Sequence, residues 1–185
     1  TEQGLLKMFD MSGGPDFVKN FMELNIIPIS ISYQYDSCDI LKAREILISR
    51  SQKYVKGETE DLQSIIHGVT QKKGNVHIQF GKPLAEDEIR EASLCDKNDR
   101  YQSIRHAMDR RIIEGYRLWN TNYIAYDILN GGSKYTSEYT PEEVEAFKAY
   151  LEALMETVEP ELNREDLRDI LLHIYSNPVL SKENL

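Results

Sequence analysis

The side chains best suited to proton transfer or metal ligation are four histidines, His67, His77, His106 and His173, and two cysteines, Cys38 and Cys95. A metal needs three or four ligands at fixed spacings, and a general base must be held against its substrate. His106 with Asp109, and Asp169 with His173, stand one helical turn apart, but each is an isolated pair with no further ligand at metal spacing. The cysteines have no metal-ligand spacing and suggest no disulfide framework, which points to a reducing compartment. No G-x-S-x-G elbow, phosphate-binding loop, G-x-G-x-x-G or C-x-x-C occurs. Asp96-Lys97-Asn98-Asp99 lacks the spaced oxygens and the glycine of a calcium loop. Each histidine therefore reads as solvated or structural, and the set of catalytic residues expected within this chain is empty.

Charge is the other chemistry on offer. The 185 residues carry 22 bases and 31 acids, a net −9. Residues 134–169 hold eleven acids against four bases, or −7, which leaves about −2 for the rest. An acidic chain without a long basic stripe argues against nucleic-acid binding. Two stretches are locally cationic: 38–56, with Lys42, Arg44, Arg50, Lys53 and Lys56, and 99–119, with Arg100, Arg105, Arg110, Arg111 and Arg117. Such faces suit anionic lipid head groups or a nucleotide phosphate, but the commoner reading is a solvated face laced with i,i+4 pairs. No run approaches the roughly 18 apolar residues of a membrane-spanning helix. The most apolar run, 26–31, contains Pro28 and Ser30.

These residues are positioned by a pattern of short elements. Leu5, Leu6, Met8 and Phe9 make a short amphipathic helix ending before Ser12-Gly13-Gly14, and Pro15 suits the first turn of the next. Ile27, Ile29, Ile31 and Tyr33 alternate with Pro28, Ser30, Ser32 and Gln34, the period of a strand with two unlike faces. Helical period returns over 38–56 and again with Leu62, Ile65, Ile66 and Val69. A second strand, 75–80, is expected to turn Val76, Ile78 and Phe80 inward, and Gly81-Lys82-Pro83 closes it. Strand, two helices and strand point to an α/β fold. Two strands are too few to stand alone, so further strands are expected from a partner or from sequence upstream of Thr1, and the chain reads as a fragment.

Beyond Pro83 only helices are expected. The longest spans about 100–129, with Ile104, Met108, Ile112, Trp119 and Tyr123 in one stripe. Thr140-Pro141-Glu142-Glu143 is a capping box with proline at the first helical position. Asn163 opens a last helix carrying Leu167, Ile170, Leu171 and Ile174. Three stretches follow: 1–84 as half of an α/β domain, 85–133 as a helical extension with one long helix, and 134–185 as an acidic helical tail.

The stretch 25–33, NIIPISISY, after a short helix, resembles the fourth conserved block of the glycerolipid acyltransferases, the PlsC-like lysophosphatidate and glycerol-3-phosphate acyltransferases. That block is an apolar strand with I/V-P-V/I, here Ile27-Pro28-Ile29, continuing as Ser30 to Tyr33. Gln3 to Lys7 resembles the segment after the family's third block, and NVHIQFGKPL resembles its final strand and G-x-P turn, here Gly81, Lys82 and Pro83. The three landmarks fall in order over residues 1–84. The helical tail also looks like that of a bacterial subgroup.

The resemblance implies the second half of a PlsC-like α/β domain followed by an all-helical tail. It implies transfer of an acyl group from acyl-CoA or acyl-carrier protein, with no bound cofactor, to a lysophospholipid or related hydroxyl acceptor in phospholipid synthesis. It places such a protein in the cytoplasm, peripheral on the membrane face, and makes Ile27, Pro28, Ile29, Ser30 and Ser32 candidates for contact with acyl chain or acceptor. The family's base is the histidine of His-x-x-x-x-Asp; five residues after the four histidines come Lys72, Lys82, Arg111 and Pro178. The E-G-T-R-like acceptor-phosphate block is absent too. This chain alone is therefore expected to be inactive. The alternative is a non-catalytic, mostly helical interaction module that binds a protein partner through residues 134–185.

Overall fold

Nine helices and one pair of strands make up the chain in this computed structural model, which describes all of residues 1–185. The order is α1 (Gln3–Met11), α2 (Phe17–Leu24), β1 (Ile29–Tyr33), α3 (Asp39–Ser51), α4 (Glu60–Thr70), β2 (Val76–Phe80), α5 (Glu86–Ser93), α6 (Asp99–Gly115), α7 (Asn120–Leu129), α8 (Pro141–Met155) and α9 (Arg164–Glu183). This is a helix-rich α/β class with a very small sheet. No helix is long and apolar enough to cross a membrane.

Local chemistry sets the ends of these helices. Asp16 caps α2 by accepting the Lys19 N–H at 3.1 Å, so Pro15 stands just before the cap rather than within the first turn. Asn25 closes α2 in the left-handed conformation that asparagine tolerates, at φ 44°. Thr140 and Glu143 form the expected reciprocal cap on α8, and Asn163 accepts from Glu165 and Asp166 to start α9. The single long helix expected over 100–129 is in fact two. Tyr116 leaves α6 with extended backbone, and Trp119 is the extended N-cap of α7, where the Asn122 side chain accepts its N–H at 2.8 Å. The Asn122 side-chain acceptor, one residue before the stripe ends at Tyr123, offers the backbone a fresh start.

The strands are antiparallel: Gly81 N–H donates to Pro28 C=O at 2.8 Å, and Gln34 N–H donates to Asn75 C=O at 2.9 Å. They are joined through α3 and α4 rather than by a hairpin.

Contacts divide the chain into two units, and the division crosses the stretches 1–84, 85–133 and 134–185. The first holds Thr1–Ile31 and Ile78–Tyr116 with Leu185; the second holds Ser32–His77 and Arg117–Asn184. Leu6, Phe17, Phe21, Ile89, Tyr101 and Ile104 centre the first core. Beneath it Asp10 accepts from the Tyr101 hydroxyl at 2.6 Å and from the Asn20 amide at 2.9 Å, which satisfies a buried carboxylate. In the second unit α3, α7, α8 and α9 bury Ile40, Ile124, Phe147, Leu151, Leu167 and Leu171 together. The apolar stripes of the acidic tail are thus spent inside its own unit.

Candidate functional site

Strand β1 and its flanks contain all five residues singled out by the resemblance, and the pleat sends them to different places. Pro28, Ser30 and Ser32 are buried, whereas Ile27 and Ile29 are almost half exposed. The paired strand repeats the arrangement. Ile78 is half exposed and Phe80 is 67% exposed, so the expectation that Val76, Ile78 and Phe80 point inward is overturned. The reason lies in side-chain size. Gly115, at the end of α6, lies so close to the small face that an added Cβ would sit 3.2 Å from Ser30 Cβ and 2.9 Å from Gln79 Cγ. Only the face built from serine admits a helix backbone at that distance. The isoleucines are left pointing out.

Within this arrangement the Ser30 hydroxyl is buried without a hydrogen-bond partner. Ser32 is fully buried, and its Oγ accepts the Arg117 N–H at 3.1 Å. Neither serine has a histidine against its hydroxyl among its hydrogen-bond partners, so neither is set up as a nucleophile.

The histidines are dispersed. His67 lines a cavity of about 810 Å³ in the second unit, between α3, α4 and residues 157–159, together with Cys38, Ser64 and Glu159. Its Nε2 is buried and unpartnered. His106 lies beside Arg105, and its neighbour Asp109 is taken by the Thr1 ammonium at 2.8 Å. His173 Nδ1 stands 2.8 Å from the Asp169 carbonyl. No three His, Cys, Asp or Glu side chains are grouped to hold a metal ion.

The cationic stretches are largely paired. Lys42 meets Asp36 at 2.7 Å, Lys56 meets Asp61 at 2.9 Å, and Arg44 grips Glu159 with two nitrogens. Those hydrogen bonds hold the Glu159 carboxyl down at about 2. Arg111 reaches Glu88 at 2.6 Å, Arg100 reaches Asp10 at 3.3 Å, and Arg117 lies over the Trp119 ring.

One cluster gave no sign of itself in the sequence. Asp39, in the first turn of α3, is fully buried; its Oδ2 accepts the hydroxyls of Tyr150 and Tyr175, each at 2.6 Å, and its Oδ1 accepts the Ile40 N–H. The Tyr175 oxygen also accepts the Asp36 N–H at 3.0 Å. Burial pushes the Asp39 carboxyl above its usual range, against the lowering effect of the two phenols. Burial, and after it the Asp39 charge, pushes both phenols up. The partners come from residues more than a hundred positions away, so no local spacing could announce them. Asp39 and Tyr175 are buried and the carboxylate is bonded through both oxygens, which suits structure rather than turnover.

No protein-family model matches the chain, and neither a curated protein nor a solved structure matches it.

Proposed function

We propose that this chain is the C-terminal portion of a PlsC-like glycerolipid acyltransferase, whose catalytic His-x-x-x-x-Asp lies outside it. The parent enzyme moves an acyl group from acyl-CoA or acyl-carrier protein to a lysophospholipid or related hydroxyl acceptor. The observation that carries this reading is the outward apolar face of the strand that holds Ile27-Pro28-Ile29. Ile27, Ile29, Ile31, Ile78 and Phe80 are all exposed there, on a sheet of only two strands. Such a face is stable in water only under cover, and two strands are too few to persist without it. The remainder of an acyltransferase domain supplies that cover. On this reading Ile27 and Ile29 stand where that cover and the substrate meet, while Ser30 packs against Gly115 of α6 and the Ser32 hydroxyl accepts the Arg117 N–H. The turn at Gly81 supports the same reading, since its N–H locks onto the Pro28 carbonyl and fixes the motif strand to the final one.

The interaction-module alternative draws less support. The stripes of α8 and α9 are buried against α3 and α7, so a partner of residues 134–185 would meet only their acidic outer sides.

The test is an assay of the whole reading frame that encodes this chain, for acyl transfer to lysophosphatidate. Activity abolished when the histidine of a His-x-x-x-x-Asp in that frame becomes alanine supports the proposal. Activity indifferent to that substitution, or a frame with no such motif, overturns it.

A further inference from the structure

We propose that α4 is an interfacial helix that docks the second unit on an anionic lipid bilayer. The helix is inside out. Leu62, Ile65, Ile66 and Val69, at i, i+3, i+4 and i+7, are between 54% and 75% exposed, and no residue of α4 is buried. Its polar side is the one that faces the protein. Glu60 bonds the Tyr54 hydroxyl and the Gly57 N–H, and the Ser64 carbonyl lies 3.8 Å from Cys38 Sγ. A continuous apolar stripe with its polar side anchored to the body is the geometry of a helix lying in a bilayer interface.

Charge selects lipid as the occupant. Residues 46–76 carry five bases against three acids, a net +2, in a chain of net −9. Two of those acids are already engaged, Glu60 with Tyr54 and Asp61 with Lys56. Exposed lysines stand at both ends of the stripe, Lys53 before it and Lys72 after it. Lys73 caps the helix end by donating to the Val69 and Gln71 carbonyls. A negative surface attracts this rim and repels residues 134–169, where the acids are concentrated, so the encounter is oriented as well as held. The inference rests on the second unit alone and is independent of the acyltransferase reading.

Sedimentation of the 185-residue chain with vesicles tests it. Binding is expected to phosphatidylcholine vesicles containing phosphatidylglycerol, to weaken with added salt, and to be absent with phosphatidylcholine alone. The double substitution Ile65→Glu, Val69→Glu should reduce binding by roughly tenfold or more. Its far-UV circular dichroism should not change, because both side chains are mostly in water. Lys72→Gln should weaken binding by about fivefold. Failure of the chain to bind the anionic vesicles overturns the proposal, as does equal binding by the double variant. A salt-insensitive dimer that the double variant disperses also overturns it, and assigns the stripe to a second copy of the chain.

Discussion

Replacing Tyr175 by phenylalanine removes one oxygen and two interactions, and the cost can be worked out from the geometry. The hydroxyl donates to the buried Asp39 carboxylate at 2.6 Å, a bond to a charged group worth about 1.5–3 kcal/mol. It also accepts the Asp36 N–H, which would be left unpaired in a partly buried position and adds about 1 kcal/mol. The sum is about 3 kcal/mol. Tyr150→Phe loses a bond of the first kind, and its ring is half-buried, so water can replace the donor; about 1.5 kcal/mol is expected. Urea unfolding followed by circular dichroism measures both, with the difference read from midpoints at constant slope. The pH dependence supplies an independent check. Asp39 titrates above its ordinary 3.8 in the folded protein, so the native state keeps this proton to higher pH than the unfolded chain does. Stability from this group is complete below 3.8 and is lost as pH rises through the folded value. Subtracting the curve of Asp39→Asn from that of the unaltered chain isolates it from carboxylates shifted the other way, such as Glu159. In Tyr175→Phe, with one fewer donor to the carboxylate, the decline should extend to still higher pH. A difference curve that rises across that window would refute the argument, as would a Tyr175→Phe cost below that of Tyr150→Phe.

Two further outcomes follow from other contacts. Glu159 is held down at about 2 by Arg44, so its contribution is present above the usual carboxylate range and fades as pH falls toward 2; because the Glu159 side chain is 46% exposed, Arg44→Met should cost less than about 1 kcal/mol in dilute buffer and less again in high salt, and NMR titration should return Glu159 to its ordinary range. Gly115→Leu drives a side chain into Ser30 and Gln79, and should destabilise by about 1–3 kcal/mol in thermal or urea unfolding, whereas a neutral result would mean that α6 does not need a bare backbone there.

Much of the fold is written in the chain as local chemistry. The serine–isoleucine alternation of 27–33, the Thr140 cap and the Asn163 cap each depend on neighbours within a few residues, and each appears where the pattern puts it. The faces were not legible. Alternation says which residues share a side, and burial then depends on what packs there; Gly115 came to the serines. The same holds for α4, where Leu62, Ile65, Ile66 and Val69 share a face that looks like a core and is exposed. The break at 116–119 was hidden because Ile112, Trp119 and Tyr123 keep helical period across it, while the Asn122 cap that restarts the helix makes no mark on a hydrophobic stripe. Of the candidate site, the strand could be read from its motif, but the separation of Ile27 and Ile29 from Ser30 and Ser32 needed the packing.

The way the two units share the chain bears on how it is made. Neither unit is one continuous piece: residues 32–77 of the second interrupt the first, and residues 78–116 of the first interrupt the second. A ribosome therefore releases Leu6 and Phe21 long before Ile89 and Ile104 arrive to cover them, and Ile40 waits for Leu171, far downstream. Early closure of either core is forbidden by the order of emergence, so both must form late and by contacts distant in sequence. A nascent chain of this kind carries uncovered apolar surface between the emergence of Phe21 and that of Leu171, and holdase chaperones that bind such surface have their longest opportunity in that interval.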